Sequence, residues 1–209
     1  MDWGILWQYR EALFTGFMVT LWVSAASILC STVLGVIMGC LGALPSALLV
    51  RIVGSYTEVL RNLPVIVKLF FFYFVVGLPA VPATLVALSL HQSAYIADVT
   101  GAGIRSVARG QLDAALSLGH GYRQAFRHII LPQVVRIVIP PMTTQYVSVV
   151  KNSSVAELIS LKELTYQTQE INVETFRGFE AATAATVLYV LIASIVIGLM
   201  TMLQQRHAK

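Results

Sequence analysis

Long uncharged runs alternate with short charged ones along the chain. Uncharged sequence extends from Ala12 to Val50. That is longer than the roughly 20 residues a bilayer needs, so the pattern predicts one long or tilted helix over about 15–44, ending before Pro45. Residues 51–64 are amphipathic, with Tyr56, Leu60 and Leu63 set against Arg51, Glu58, Arg61 and Asn62, and they lead into an aromatic-rich stretch at 65–77. Together these predict a second spanning helix over about 57–77. Leu78-Pro-Ala-Val-Pro82 breaks the helical pattern, because each proline removes a donor and restricts its predecessor. A third span is expected over 83–104, with Asp98 near its end. After a polar, basic segment at 105–128, residues 129–150 predict a fourth span. Pro132, Pro140, Pro141 and Arg136 should make it irregular, as membranes allow where protein or water satisfies the freed carbonyls. Residues 151–177 carry Glu157, Lys162, Glu163, Glu170 and Glu174 and predict one or two short extramembrane helices. The fifth span, 180–204, is the most uniformly apolar. The expectation is one transmembrane domain over 1–209.

Composition supports the bilayer. With 57% hydrophobic and 11% charged residues and a mean hydropathy of +0.77, the chain is far from a soluble domain, in which about a quarter of residues are charged. The net charge of +4 does not imply a nucleic-acid partner, because Lys and Arg are confined to the loops between apolar runs. Cys30 and Cys40 are separated by about 15 Å of helix, beyond disulfide reach, and read as small packing residues. His91, His120, His128 and His207 are too scattered for a metal site, and none is expected. The N-terminus has no basic n-region and its apolar run is far longer than a signal-peptide core, so the first helix is expected to be retained. Before it, Trp3, Trp7 and Tyr9 suit headgroup depth. Placing the basic segment inside puts Arg51, Arg61, Arg105, Arg109, Arg123, Arg127, Arg206 and Lys209 in the cytoplasm, against Arg10, Lys151, Lys162 and Arg177 outside. That asymmetry predicts an external N-terminus and a cytoplasmic C-terminus.

The polar segment has internal order. Gln111 to Leu118 is built of helix formers with Ala114, Ala115 and Leu118 on one side, Gly119 and Gly121 permit a left-handed turn, and Tyr122 opens a second helical run. Two short helices joined at a glycine break, exposed and carrying a small apolar stripe, suit docking. The spacing Asp113-Ala114-Ala115, three positions, Gly119, nine positions, Ile129, one position, Leu131-Pro132 resembles the cytoplasmic EAA loop of ABC-importer membrane subunits. Asp113 stands where that family usually has Glu, shortening the carboxylate by one methylene.

Further stretches extend the resemblance to the subgroup importing polar amino acids. They are Glu58, Arg61-Asn62-Leu63-Pro64, Ser93-Ala-Tyr-Ile-Ala-Asp98, Gly103-Ile104, Gly110-Gln111, Pro140-Pro141 and Lys151-Asn152-Ser153. Thr100-Gly-Ala-Gly-Ile104 lacks the arginine usual before the loop. The resemblance implies an all-α, five-span permease of the type I ABC importer fold in a bacterial inner membrane. It would pair with a second permease subunit, the same or homologous, hold an ABC ATPase subunit dimer through the loop, and receive solute from an extracytoplasmic amino-acid-binding protein. It also implies that Asp113, Ala114, Ala115, Gly119, Ile129, Leu131 and Pro132 carry the coupling to the ATPase. No Gly-x-x-x-x-Gly-Lys-Ser/Thr loop occurs in the chain. ATP and Mg are therefore expected on the partner, with no cofactor and no enzymatic activity here. A second reading is a non-transporting assembly or regulatory subunit that uses the loop only to dock a cytoplasmic partner. Asn152, Ser153 and Ser154 lack the His and acidic partners of a hydrolase.

Ionisable groups inside a membrane are costly, which makes them candidates for solute contact. A zwitterionic amino acid needs both donors and acceptors, and Glu58, Arg61, Asn62, Asp98 and Lys151 can supply them. Glu58 and Arg61, three apart, are alternatively placed to pair with each other. Lys68 and Arg136 are expected to form salt bridges or snorkel to the interface. Phe70 to Phe74 face all around a helix and suit lipid contact better than a lined path. Gly35, Gly39 and Gly42 would let a second helix approach the first closely.

Overall fold

The computed structural model describes residues 3–208, and of Arg109, His207 and Ala208 the backbone alone. Lys209, counted above as cytoplasmic, and Met1 and Asp2 lie outside the described residues. Among the described residues every regular element is helical. A short α1 (Gly4–Gln8) precedes α2 (Arg10–Gly42); α3 (Ala47–Asn62) and α4 (Val65–Phe70) follow, the latter prolonged by a π turn at Phe71–Val75. Then come α5 (Ala80–Ser106), α6 (Arg109–Ser117), α7 (Tyr122–Ala125) with a π turn at Phe126–Ile130, and α8 (Leu131–Asn152). A 3-10 segment at Ser153–Ile159, α9 (Leu164–Thr175) and α10 (Gly178–Ala208) complete the chain.

Two helices, Arg10–Gly42 and Gly178–Arg206, are long and apolar enough to cross a bilayer by length and composition. α5 and α8 have 27 and 22 residues, about 40 and 33 Å at 1.5 Å per residue, but carry more polar side chains. The polar residues of α5 turn inward: Gln92, Ser93 and Thr100 are buried. Gln92 donates to Gln145 of α8 at 2.6 Å, and Thr32 of α2 donates to Tyr146 of α8 at 2.9 Å. The outward faces are apolar, with Phe14, Leu29, Val33 and Ile37 exposed on α2 and Val187, Val190 and Leu199 on α10.

Small residues dominate the seam of α2: Gly16, Thr20, Ser24, Ser27, Ser31, Gly35 and Gly39 are all buried. In lipid, apolar surface alone does little to hold helices together, so close van der Waals packing takes that role. A Cβ at Gly35 would lie 2.6 Å from Ile96 Cβ, and one at Gly39 would lie 2.6 Å from the Ala97 carbonyl. The expected close approach is therefore real, and its partner is α5. Gly42 instead faces Val53 of α3.

Several details differ from the sequence expectations. The second predicted span is broken between Asn62 and Val65, because Pro64 has no N–H to continue the α3 ladder. The third helix begins at Ala80, since Pro82 falls in a first turn whose N–H groups have no helical partner anyway. α8 runs through Pro140–Pro141 as one continuous helix. Cys30 and Cys40 are exposed rather than packed.

At the end of the bundle where α9 packs, Glu163 caps α9 by accepting from Tyr166 N–H at 2.8 Å. Its other oxygen accepts from Tyr189 of α10 at 2.5 Å and from Thr20 of α2 at 3.4 Å. This carboxyl is fully buried. Burial pushes its pKa up, opposed by the Thr165, Tyr189 and Tyr166 hydrogen bonds.

Candidate functional site

Two features stand out, an exposed helical elbow and a polar cavity. The elbow begins where α6 ends in a Schellman turn: Gly119 adopts φ +85, its N–H bonds the Leu116 carbonyl at 3.0 Å, and His120 N–H bonds the Ala115 carbonyl at 3.1 Å. A side chain at Gly119 would meet nothing within 4 Å, so the left-handed backbone and not crowding favours glycine here. Gln124 then accepts from Gly121 N–H at 3.2 Å and starts α7.

The alanine pair splits its duties. Ala115 is buried while Ala114 is exposed, and Leu112, Phe126 and Ile129 pack against the core cluster of Ile130, Val134 and Val138. Gln133 ties α8 back to α6 through Gln111 at 3.3 Å. Leu131 and Pro132 are exposed at the start of α8, where Pro132 suits the first turn. Asp113 is also exposed. The outward surface carries Leu116 at 41%, Leu118 at 81% and Tyr122 at 62% exposure. A rigid elbow anchored by Ala115, Ala125 and Phe126 thus presents an apolar ridge to whatever lies beyond it.

The cavity, about 490 Å³, is lined by Thr57, Glu58, Arg61 and Asn62 of α3 and by Tyr95 and Asp98 of α5. Arg61 Nη1 donates to Asp98 Oδ2, and the guanidinium lies 5.0 Å from the Tyr95 ring centre. The other face of the pair of helices is pinned by Tyr56 and Ser93, whose hydroxyls are 2.5 Å apart. Both members of the ion pair remain nearly half exposed, 48% and 42%. Their charges are thus accessible to a third group. A second cavity of about 330 Å³ shares Thr57 and Asp98 with the first and is lined also by Gly39, Gly42, Gly54, Gly101 and Arg105.

Of the ionisable and amide residues singled out from sequence, Glu58, Arg61, Asn62 and Asp98 meet in this cavity. Lys151 stands apart, exposed at the end of α8. Glu58 and Arg61 do not pair with each other; Arg61 turns to Asp98 across the helix interface. Lys68 neither snorkels nor forms a salt bridge: it is buried and donates to the carbonyls of Leu60 and Leu63 at 2.7 Å each. Arg136 is exposed. Among the aromatics, Phe70, Phe71 and Phe74 face outward while Phe72 and Tyr73 pack against Leu69 and Ala83. Thr57 and Tyr95 escaped a reading based on charge, although they sit four and three positions from Arg61 and Asp98 on the same helical faces. Among the described residues no group of His, Cys, Asp and Glu could hold a metal ion.

Residues 31–209 match the family described as "Binding-protein-dependent transport system inner membrane component". The chain is 36% identical over 199 residues to a probable glutamine ABC transporter permease, GlnM, of Bacillus subtilis (strain 168), covering 92% of this chain and 91% of that one. It is 29% identical to the glutamate/aspartate import permease GltJ of Escherichia coli (strain K12), covering 98% and 94%. Among solved structures, an amino acid ABC transporter with histidines superposes with a TM-score of 0.89 at 26% identity, covering 99% of both chains. An inward-facing MetNI methionine ABC transporter superposes at 0.83 with 18% identity, covering 97% and 99%, which shows the shared fold.

Proposed function

The chain belongs to the family of binding-protein-dependent transport system inner membrane components, and on that premise we propose that it forms half of an import pathway for polar amino acids. The observation that carries this reading is the cavity in which Arg61, Asp98, Glu58, Asn62 and Tyr95 converge between α3 and α5. A zwitterion needs its carboxylate met by a cation and its ammonium by an anion, and this lining provides both signs within one small volume. Arg61 takes the α-carboxylate as a forked donor. Asp98 and Glu58 receive the α-ammonium, and Asn62 bonds the side chain. The resting Arg61–Asp98 pair is exchanged for the two ligand contacts, so neither charge is left bare when the solute departs. The glutamine and glutamate/aspartate permeases among the relatives agree with that chemistry.

Five spans, formed by α2, the broken α3–α4 pair, α5, α8 and α10, orient the N-terminus outward and the elbow and C-terminus into the cytoplasm of a bacterial cell. The Leu116, Leu118 and Tyr122 ridge inserts into a partner ATPase, whose dimer holds ATP and Mg. Asp113 supplies a charged contact to it. Ile129, Leu131 and Pro132 pass the movement of the elbow into α8. A second permease subunit, identical or homologous, covers the open side of the cavity, and an extracytoplasmic binding protein delivers solute. Closure of the motor rocks the two subunits and exposes the cavity alternately to each side.

Arg61→Ala and Asp98→Asn, assembled with motor and binding protein in proteoliposomes, test the site. Half-saturation or selectivity among labelled amino acids should shift by about tenfold or more, as expected when one partner of a charge-assisted hydrogen bond is lost. Unchanged uptake kinetics in both variants would remove the cavity from the pathway.

A further inference from the structure

In an uninterrupted helix the N–H of residue 64 would bond the carbonyl of Leu60. Pro64 has no N–H, so the α3 ladder ends one donor short, beside the negative end of the helix dipole. Lys68, one turn into α4 and 4% exposed, returns its ammonium to that gap. Its Nζ lies 2.7 Å from the Leu60 carbonyl and 2.7 Å from that of Leu63. His91 of α5 stacks edge-on against Tyr95, a residue of the cavity wall, at 5.3 Å. Arg61 and Asn62 are the two residues enclosed between the carbonyls that Lys68 grips.

We propose that Lys68 is a positioning residue for the polar cavity: by bonding the Leu60 and Leu63 carbonyls it fixes the broken end of α3, and so the direction in which Arg61 and Asn62 enter the cavity. The assignment rests on the reading of that cavity as the solute site. Simple burial of a lysine would be satisfied by any acceptor. Here both acceptors bracket the two site residues, and one of them is the carbonyl that Pro64 leaves without its helical donor. An apolar side chain of similar length fills the space but leaves two partly buried carbonyls without their charged donor, which frees the Arg61–Asn62 segment to turn.

The experiment compares Lys68→Met, Lys68→Gln and Lys68→Arg in the full chain assembled with its ATPase. Complex yield, the spectrum of a nitroxide attached through Asn62→Cys in a background with Cys30→Ser and Cys40→Ser, and uptake of labelled glutamine and glutamate are read together. The expected result is normal yield, a mobile label in the Met variant, an intermediate one in the Gln variant, and an immobile label in the Arg variant as in the parent. Uptake at sub-saturating solute should fall about tenfold in the Met variant and return with Arg. A label equally immobile in the Met variant overturns the proposal, as does loss of assembly in both neutral variants, which would make Lys68 purely structural. A label that loosens as expected, while Arg61→Ala and Asp98→Asn leave uptake intact, upholds the positioning role and removes the solute reading instead.

Discussion

Gly35 and Gly39 offer the sharpest test of how the helices are held together. Replacing Gly39 with Ala puts a Cβ 2.6 Å from both the Ala97 carbonyl and Thr100 Cβ, and Gly35→Ala puts one 2.6 Å from Ile96 Cβ and 2.7 Å from the Ser93 carbonyl. Ordinary contact begins at about 3.4 Å, so α2 and α5 must part by about 0.8 Å at each point. Overpacking of this kind costs about 1–3 kcal/mol, against a gain of up to about 1 kcal/mol from replacing a helical glycine with alanine. The net effect is destabilisation by up to about 2 kcal/mol per site, or a fall of up to roughly 8 °C in melting temperature at about 2–4 °C per kcal/mol. Because one separation of the helices relieves both clashes, the double variant should lose less than the sum. Gly198→Ala is the control: it lies within α10 with nothing within 4 Å of the added carbon, so it gains only the propensity term and melts higher. Thermal melting of the detergent-solubilised protein reads all four variants. If Gly39→Ala and Gly35→Ala melt with Gly198→Ala or above it, the seam is not close-packed.

Other expectations follow from the buried carboxyl and the elbow. Glu163→Ala leaves the Tyr166 N–H without its acceptor and the Tyr189 hydroxyl with Thr165 alone, and should cost about 1–3 kcal/mol in a melting assay. Burial raises the folded-state pKa of Glu163 above its unfolded value. Its stability contribution is therefore full below the unfolded pKa and is lost as pH rises through the folded one. Glu163→Gln should remove that slope, and a parent melting temperature that climbs across the same interval would contradict the sign. Gly119→Val must force a β-branched residue into φ +85; it should insert normally, yet lose ATP-driven uptake by about tenfold or more. A cysteine introduced by Leu118→Cys should cross-link to the ATPase in membranes, whereas one introduced by Val190→Cys on the outward face of α10 should not.

The elbow was legible because its glycine does a local job: Gly119 ends α6 through backbone conformation alone, and the flanking residues carry their own helical pattern. The meeting of Glu58, Arg61, Asn62 and Asp98 was partly legible, since polar groups in apolar runs are conspicuous, but the partner of Arg61 was not. Glu58 three positions away is the local candidate, and only tertiary packing of α3 on α5 brings Asp98, 37 residues on, into contact. Thr57 and Tyr95 carry no charge and gave no such signal. Lys68 misled for a related reason, because its partners are backbone carbonyls and a count of side-chain charges cannot see them. The break at Pro64 falls where the amphipathic stretch 51–64 runs directly into the apolar, aromatic-rich stretch 65–77, and joining the two into one span passes over it.

On the proposed function, the elbow converts ATP hydrolysis by a partner into solute movement past Arg61 and Asp98. The most direct measurement is uptake of labelled glutamine, glutamate, arginine and histidine by proteoliposomes holding this chain with its ATPase and binding protein, with ATP on the elbow side. Uptake of at least one solute that needs ATP and disappears with Gly119→Val is the predicted result. Solute entry that proceeds without the ATPase, or is untouched by Gly119→Val, would contradict it.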